Sequence, residues 1–236
     1  MKEAEAKSRI RCRILNLDFL SEQNAFENYL GELPVSGYWM RRREAIRRYR
    51  FPADQVRSLG AGLLLYSVLK EYEMQHTPIA VSPYGKPLLE GSDFCFNLSH
   101  SGNYAVCSYG YGSSGVDIEC DQSAKPELAK QFFHQKESNL VSEFGEKMFI
   151  RLWTLKESYI KENGKGLSLG LDTFCISPGR TEHVPSSDFM MIPAISDMSS
   201  VEGDDRFHFA EFVVDGYHIS VCSKNAIDRC LIRQTL

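Results

Sequence analysis

A chain of 236 residues can bury a substantial core, as one large domain or two small ones. Its 43% hydrophobic and 25% charged content is ordinary for a soluble globular protein, and a net charge of −4 argues against a general nucleic-acid binder. No apolar run reaches membrane-spanning length, Met1-Lys2-Glu3-Ala4-Glu5 lacks the apolar segment of a signal peptide, and seven cysteines without a Cys-x-x-Cys suit a reducing cytoplasm.

Residues 10–14 alternate and predict a first strand. Residues 38–50 follow a polar stretch and carry Arg41, Arg42, Arg43, Arg47, Arg48 and Arg50, six arginines in ten residues. Such a run is either a solvated helix face or an anion site and dock for an acidic partner. Asp54 is the expected N-cap of a long helix striped by Val56, Leu59, Leu63, Val68 and Leu69. Arg57 and Ser58 would then sit in its first turn, where free amides favour anions.

Ser82-Pro83-Tyr84-Gly85-Lys86-Pro87 is a turn. Residues 94–98 predict a strand, 99–103 a polar turn and 104–109 a returning strand. Gly110, Gly112, Ser113, Ser114 and Gly115 form a flexible connector, the best domain boundary, which divides the chain into residues 1–112 and 113–236. In Val116-Asp117-Ile118-Glu119 the period of two puts both carboxylates on one face and both apolar residues on the other. That face is a solvated strand edge or a set of oxygen ligands for a hard cation.

Helices are predicted from Pro126 toward Phe133, over 136–144 and over 146–162, with Asn163-Gly164 stopping the last. Glu157 and Lys161, four apart, share a face of it, as a surface salt bridge does. Residues 171–176 read as a strand. Residues 178–205 read as loop, broken by Phe189-Met190-Met191-Ile192, and 207–214 with 217–222 as a hairpin. The tail 225–236 reads as peripheral. Val106-Cys107-Ser108 and Val221-Cys222-Ser223 echo each other and suggest two similar α+β halves.

Three carboxylates, a lysine one turn on, a Ser-His turn and a Gly-Lys-Pro turn are a kit for phosphoryl or diphosphate chemistry around Mg²⁺. At Tyr84-Gly85-Lys86-Pro87, Phe96-Asn97-Leu98-Ser99-His100-Ser101-Gly102, Gly115-Val116-Asp117-Ile118-Glu119 and Trp153-Thr154-Leu155-Lys156-Glu157-Ser158-Tyr159-Ile160-Lys161, the chain resembles the 4′-phosphopantetheinyl transferases of the surfactin-synthetase type. Gly164-Lys165-Gly166-Leu167-Ser168-Leu169 continues the last block, and the likeness covers about residues 10–225.

The resemblance implies an α+β fold of two pseudo-twofold halves with the active site between them. It implies transfer of the 4′-phosphopantetheine arm of coenzyme A to a serine of an apo acyl or peptidyl carrier protein, releasing adenosine 3′,5′-bisphosphate. Asp117, Glu119 and Glu157 would hold Mg²⁺, Lys161 would contact the α-phosphate, and Glu137 would take the serine proton. Ser99 and His100 would face the 3′-phosphate, Tyr84, Gly85 and Lys86 the adenine and its phosphates, and Arg57 and Ser58 further phosphate. The family tends to place lysines in the basic segment. Here Arg42 and Arg43 are candidate substitutes, and Ala45 falls at one expected basic position. A cytoplasmic monomer is expected, since one chain supplies both sides of the site. A carrier binder without catalysis and a diphosphate hydrolase are the rival classes.

Overall fold

The computed structural model describes residues 9–22, 24–182 and 190–236. The stretch Met1-Lys2-Glu3-Ala4-Glu5 and Phe189, read above, lie outside them.

In chain order the elements are β1 (Ile10–Asn16), α1 (Ala25–Glu32), α2 (Gly37–Arg48) and α3 (Pro52–Glu71), then β2 (Ile79–Val81), β3 (Pro87–Leu89), β4 (Phe94–Ser101), β5 (Tyr104–Tyr111) and β6 (Gly115–Cys120). The second part holds α4 (Ala129–Phe132), α5 (Gln135–Phe144), α6 (Glu146–Asn163), β7 (Ile176–Ser177), β8 (Met191–Pro193), β9 (Ser200–Val201), β10 (His208–Val214), β11 (Tyr217–Ser223) and β12 (Ile227–Gln234).

Two sheets form the frame of this α+β fold. The larger has strand order β4-β5-β1-β12-β8 and the smaller β10-β11-β6. The strand period of two decides which side chains fill the space between them. Ile10, Cys12 and Ile14 of β1 meet Val106 of β5, Val116 and Ile118 of β6, Phe212 of β10, and Ile219 and Val221 of β11 there. The alternate residues Ala105, Cys107 and Tyr109 turn to the outer face, where α3 covers them with Leu59, Leu63, Leu64 and Val68. On the outer face of the small sheet, Phe209 and Cys222 pack against Leu155 and Tyr159 of α6. The layers therefore run helix, sheet, sheet, helix. Because Val116 and Ile118 point inward, Asp117 and Glu119 must point toward α6.

Several boundaries differ from the sequence reading. α3 begins at Pro52 with Phe51 at its N-cap, and Asp54 lies in the first turn, paired with Arg57. Proline suits that start because its missing N–H is one the helix leaves unbonded anyway. Ser99, His100 and Ser101 belong to β4, and the turn is confined to Gly102 and Asn103. The strand expected over 171–176 is a 3₁₀ turn, Leu171–Thr173, followed by the two-residue β7. The expected loop 178–205 contributes β8 and β9.

The largest correction concerns the tail. β12 pairs in parallel with β1 on one side and antiparallel with β8 on the other, so it lies inside the sheet. Its alternation is masked by charges that find partners, as Asp228 does with Arg11 at 3.3 Å. β8 and β12 thus complete a sheet begun by β1, β4 and β5, and the larger sheet is shared across the 112/113 boundary.

Candidate functional site

The two sheets meet edge to edge at β4 and β6. Backbone ladder bonds are replaced at this seam by side chains of β4, spaced two apart. Asn97 Oδ1 accepts from the Val116 amide at 3.0 Å, Ser99 Oγ donates to Asp117 Oδ1 at 2.8 Å, and Ser101 Oγ donates to Glu119 Oε2 at 2.9 Å. Of these, the sequence reading singled out Ser99 alone. The signal was present in the matching alternation of residues 97, 99, 101 and 117, 119.

α6 closes the seam from the side. It brings Lys161, whose Nζ donates to Asp117 Oδ1 at 2.7 Å, Ser99 Oγ at 3.0 Å and the Val116 carbonyl at 3.1 Å. It also brings Glu157, half-buried one turn earlier. Burial, then the like charge of Asp117 and that of Glu119, push the Glu157 carboxyl up to about 7. Burial and Asp117 also raise Glu119. The three carboxylates therefore feel one another, as expected of charges held close in a partly dry site.

Asp117 is only 4% exposed, and its second oxygen, Oδ2, is buried without a hydrogen-bond partner. An orphaned buried carboxylate oxygen is costly unless something positive completes it. An all-oxygen set with one open lone pair and mutual repulsion fits a hard divalent cation in chemistry. The geometry is not preformed: among the described residues no three His, Cys, Asp or Glu side chains already stand as an ion-holding group. The positive charge now facing Asp117 is the Lys161 ammonium.

The phosphate candidates divide. Arg42, Arg57 and Lys161 lie close enough to His100 that, after burial, their charges also lower its imidazole pKa. Arg42 crosses α3, donating to the Ser58 carbonyl at 2.8 Å and Tyr38 Oη at 3.1 Å, with its Nε buried and unpartnered. Gly62 permits this crossing, since a Cβ there would stand 2.8 Å from that Nε. Arg57 and Ser58 are the sixth and seventh residues of α3, so their amides are no longer free helix-end donors. They can offer a guanidinium and a hydroxyl only. Tyr84 and Gly85 line a cleft of about 190 Å³ together with Asn97 and Lys161, and the Tyr84 ring is 63% exposed. Lys86 lines the same cleft, but its ammonium is bonded to three backbone carbonyls, at Lys161, Ser114 and Glu162. A second cavity of about 400 Å³ opens beside Glu119, walled by Leu128, Phe149, Ile150 and Trp153.

Glu137 does not join this group. Its side chain is 0% exposed and both oxygens accept from Lys156 Nζ at 2.6 Å. Oε1 also takes the Ile176 amide at 2.7 Å, and Oε2 takes the His134 amide at 3.0 Å as half of a capping box for α5. A carboxylate so engaged has no lone pair for a substrate hydroxyl, and the geometry gives it a structural ion pair in place of the expected proton acceptor. Sequence reasoning also passed over a buried cluster farther along α6. Arg151 Nε donates to Glu211 Oε2 at 2.7 Å, Ser199 Oγ donates to Oε1 at 2.6 Å, and His218 Nε2 lies 3.1 Å from Oε2. Burial alone would raise the Glu211 carboxyl, but His218 and Arg151 outweigh it and hold it down at about 2.

A family model described as the 4′-phosphopantetheinyl transferase superfamily matches residues 113–222, and one described as 4′-phosphopantetheinyl transferase, N-terminal, matches residues 39–110. The chain belongs to the 4′-phosphopantetheinyl transferase family. It is 38% identical over 143 residues to the 4′-phosphopantetheinyl transferase Sfp of Bacillus subtilis, covering 57% of this chain and 64% of that one. A second Bacillus subtilis 4′-phosphopantetheinyl transferase is 37% identical over 151 residues, covering 61% and 67%. The gsp transferase of Aneurinibacillus migulanus is 29% identical over 178 residues, covering 72% and 75%. The match therefore spans about two thirds of the length of such relatives.

Proposed function

We propose that this chain transfers the 4′-phosphopantetheine group of coenzyme A to a serine hydroxyl of an apo acyl or peptidyl carrier protein, releasing adenosine 3′,5′-bisphosphate. The observation that carries the reading is the seam itself, where Asp117, Glu119, Glu157 and Lys161 converge between two sheet edges in a member of this family. Residues before the connector serve the nucleotide end of coenzyme A, and residues after it serve the reacting diphosphate.

Asp117, Glu119 and Glu157 would hold Mg²⁺, which when bound supplies charge neutralisation for the coenzyme A diphosphate. The Lys161 ammonium, now on Asp117, Ser99 and the Val116 carbonyl, would exchange its bond to the Asp117 side chain for the leaving phosphate and stabilise the charge that gathers there. Arg42, Arg57, Ser58 and His100 present donors for the remaining phosphate, and the exposed Tyr84 ring over the 190 Å³ cleft suits a base that stacks. The apolar cavity beside Glu119 suits the pantetheine arm. The serine nucleophile bonds to the β-phosphorus as the bond to the bridging oxygen breaks, and the serine proton leaves to a group in the cleft. With Glu137 buried and Glu157 assigned to the cation, that group is a water in the open cleft.

The arginine segment divides by task. Arg42, Arg43 and Arg47 are engaged within the protein, with Arg43 on the Leu33 carbonyl at 2.6 Å and Arg47 on Glu27 at 2.8 Å. Arg41, Arg48 and Arg50 are exposed, with Arg48 only loosely paired to Glu44 at 3.9 Å and Arg50 over the Phe51 ring, and we assign them to steering an acidic carrier surface. No described helix is long and apolar enough to cross a membrane, and the working form proposed is a cytoplasmic monomer. Incubation with coenzyme A, Mg²⁺ and an apo carrier decides the reading. A carrier mass gain of one phosphopantetheine is expected. Carrier binding without mass gain indicates a binder, and coenzyme A breakdown without transfer indicates a hydrolase.

A further inference from the structure

Lys86 sits in the turn that carries Tyr84 and Gly85, where a cation invites assignment as a phosphate ligand. Its contacts say otherwise. An ammonium has three N–H donors. Those of Lys86 go to the carbonyls of Lys161 at 2.7 Å, Ser114 at 3.1 Å and Glu162 at 3.1 Å. None is left for a phosphate oxygen.

The first and third acceptors have a physical reason to be there. α6 ends at Asn163, so the carbonyls of Lys161 and Glu162 are among those the helix leaves without an amide. They also carry the partial negative charge of the helix C-terminus, which favours a cation. Gly164, at φ +76°, turns the chain away from the helix axis beside the lysine stem. A Cβ at 164 would stand 3.5 Å from Lys86 Cδ. The second acceptor is firmly held as well. Ser114 is fully buried and its Oγ lies 2.9 Å from Ser108 Oγ. The turn is braced in the same way, with the Lys86 amide on Ser82 Oγ at 3.0 Å and the Ser82 amide on the Lys86 carbonyl at 2.8 Å.

We propose that Lys86 is a positioning residue. Its side chain caps α6 from a neighbouring turn, sets the seat of the helix end that presents Lys161 and Glu157 to the seam, and locks that end to the Tyr84-Gly85 turn. Substrate approaching Tyr84 and the lysine acting on phosphate are thereby held in one register. The inference rests on the transferase reading for its kinetic consequences, though the cap itself does not. A guanidinium cannot replace the ammonium here. Its donors form a planar fork, while the three carbonyls converge on one point.

Lys86→Met and Lys86→Arg in the full chain separate the two roles. With coenzyme A, Mg²⁺ and apo carrier, the positioning role lowers kcat roughly tenfold to a hundredfold in both variants, since small displacements of aligned groups cost that much. KM for coenzyme A then changes less than about threefold, and arginine gives no rescue. A phosphate ligand gives the opposite pattern, with KM raised in Lys86→Met, restored in Lys86→Arg and kcat kept, and that result overturns the proposal. Hydrogen exchange without any substrate is the second readout. Amides 161–166 are expected to exchange faster in both variants while those of β1 and β5 stay protected. Unchanged exchange at 161–166 overturns the proposal even if the wild type transfers nothing, and Lys86→Arg alone suffices if Lys86→Met does not fold.

Discussion

Replacing Glu137 by glutamine keeps the shape of the side chain and removes its charge, which is the cleanest way to ask what this carboxylate does. In the structure it is a fully buried partner of Lys156, also 0% exposed. The lysine has the Phe174 carbonyl at 2.9 Å and the Phe174 ring 4.1 Å away, but among the described residues no second carboxylate in ion-pair contact, Asp172 acting only from a distance. Breaking a buried pair by neutralising one member costs about 3–5 kcal/mol, because the other charge stays in the dry interior. The side-chain amide that Glu137→Gln introduces would also point two hydrogens at a site that now receives only donors, from Lys156, Ile176 and His134. One donor left unsatisfied adds about 1–3 kcal/mol, not fully additive. A loss near 4 kcal/mol is a large share of a typical total of about 5–15 kcal/mol. For a chain of this size it corresponds to a fall in Tm of about 8–16 °C. Thermal and urea unfolding of Glu137→Gln would measure it. The double variant Glu137→Met with Lys156→Met removes both charges among Phe133 and Phe174 but leaves the Ile176 and His134 amides without that acceptor, so it is expected to lose no more stability than Glu137→Gln. A Glu137→Gln protein as stable as wild type to within about 1 kcal/mol, with the acid limb of its rate profile removed, would refute this reasoning and return Glu137 to the role of base.

Other outcomes follow from the same packing. In Gly115→Ala the new Cβ would stand 2.0 Å from the Ser158 carbonyl oxygen and 2.4 Å from the Glu162 amide, both backbone atoms of α6. The strand and helix must part, and transfer should fall by about two orders of magnitude; wild-type activity would mean they are not pressed together. Removing residues 226–236 deletes a strand from within the larger sheet, so soluble, cooperatively unfolding protein should be lost. A truncated chain with wild-type melting would show the tail to be peripheral after all. For Glu211 the folded carboxyl lies at about 2, below its ordinary value. The stability it adds is present above about pH 4.5 and drains as pH falls toward 2, up to about 3 kcal/mol. Glu211→Gln should therefore flatten the loss of stability between those pH values, and an equally steep acid loss in the variant would contradict the assignment.

The site was legible where it rests on local periodicity. The alternation of Val116, Asp117, Ile118 and Glu119 fixes which side chains enter the core, and the four-residue step from Glu157 to Lys161 fixes a shared helix face. Neither depends on distant chain. What could not be read depends on pairings made far along the sequence. The charged face of β12 looks like surface until β1 and β8 are seen to flank it and Arg11 to pair with Asp228. Lys86 and Glu137 are the sharper lesson. Both match the family pattern, yet one spends its charge on the end of α6 and the other on a buried lysine. A residue type at a motif position leaves open whether its charge faces substrate or protein. Arg151, Glu211 and His218 carry no local signal, because their meeting is a product of the sheet register and the helix packed on it.

The most direct test of the account is the mass of an apo carrier protein after incubation with this chain, coenzyme A and Mg²⁺, run beside Asp117→Ala and beside a chelated control. The account predicts one added phosphopantetheine in the first sample and an unmodified carrier in the other two. An unmodified carrier throughout, or full modification by Asp117→Ala, would contradict it.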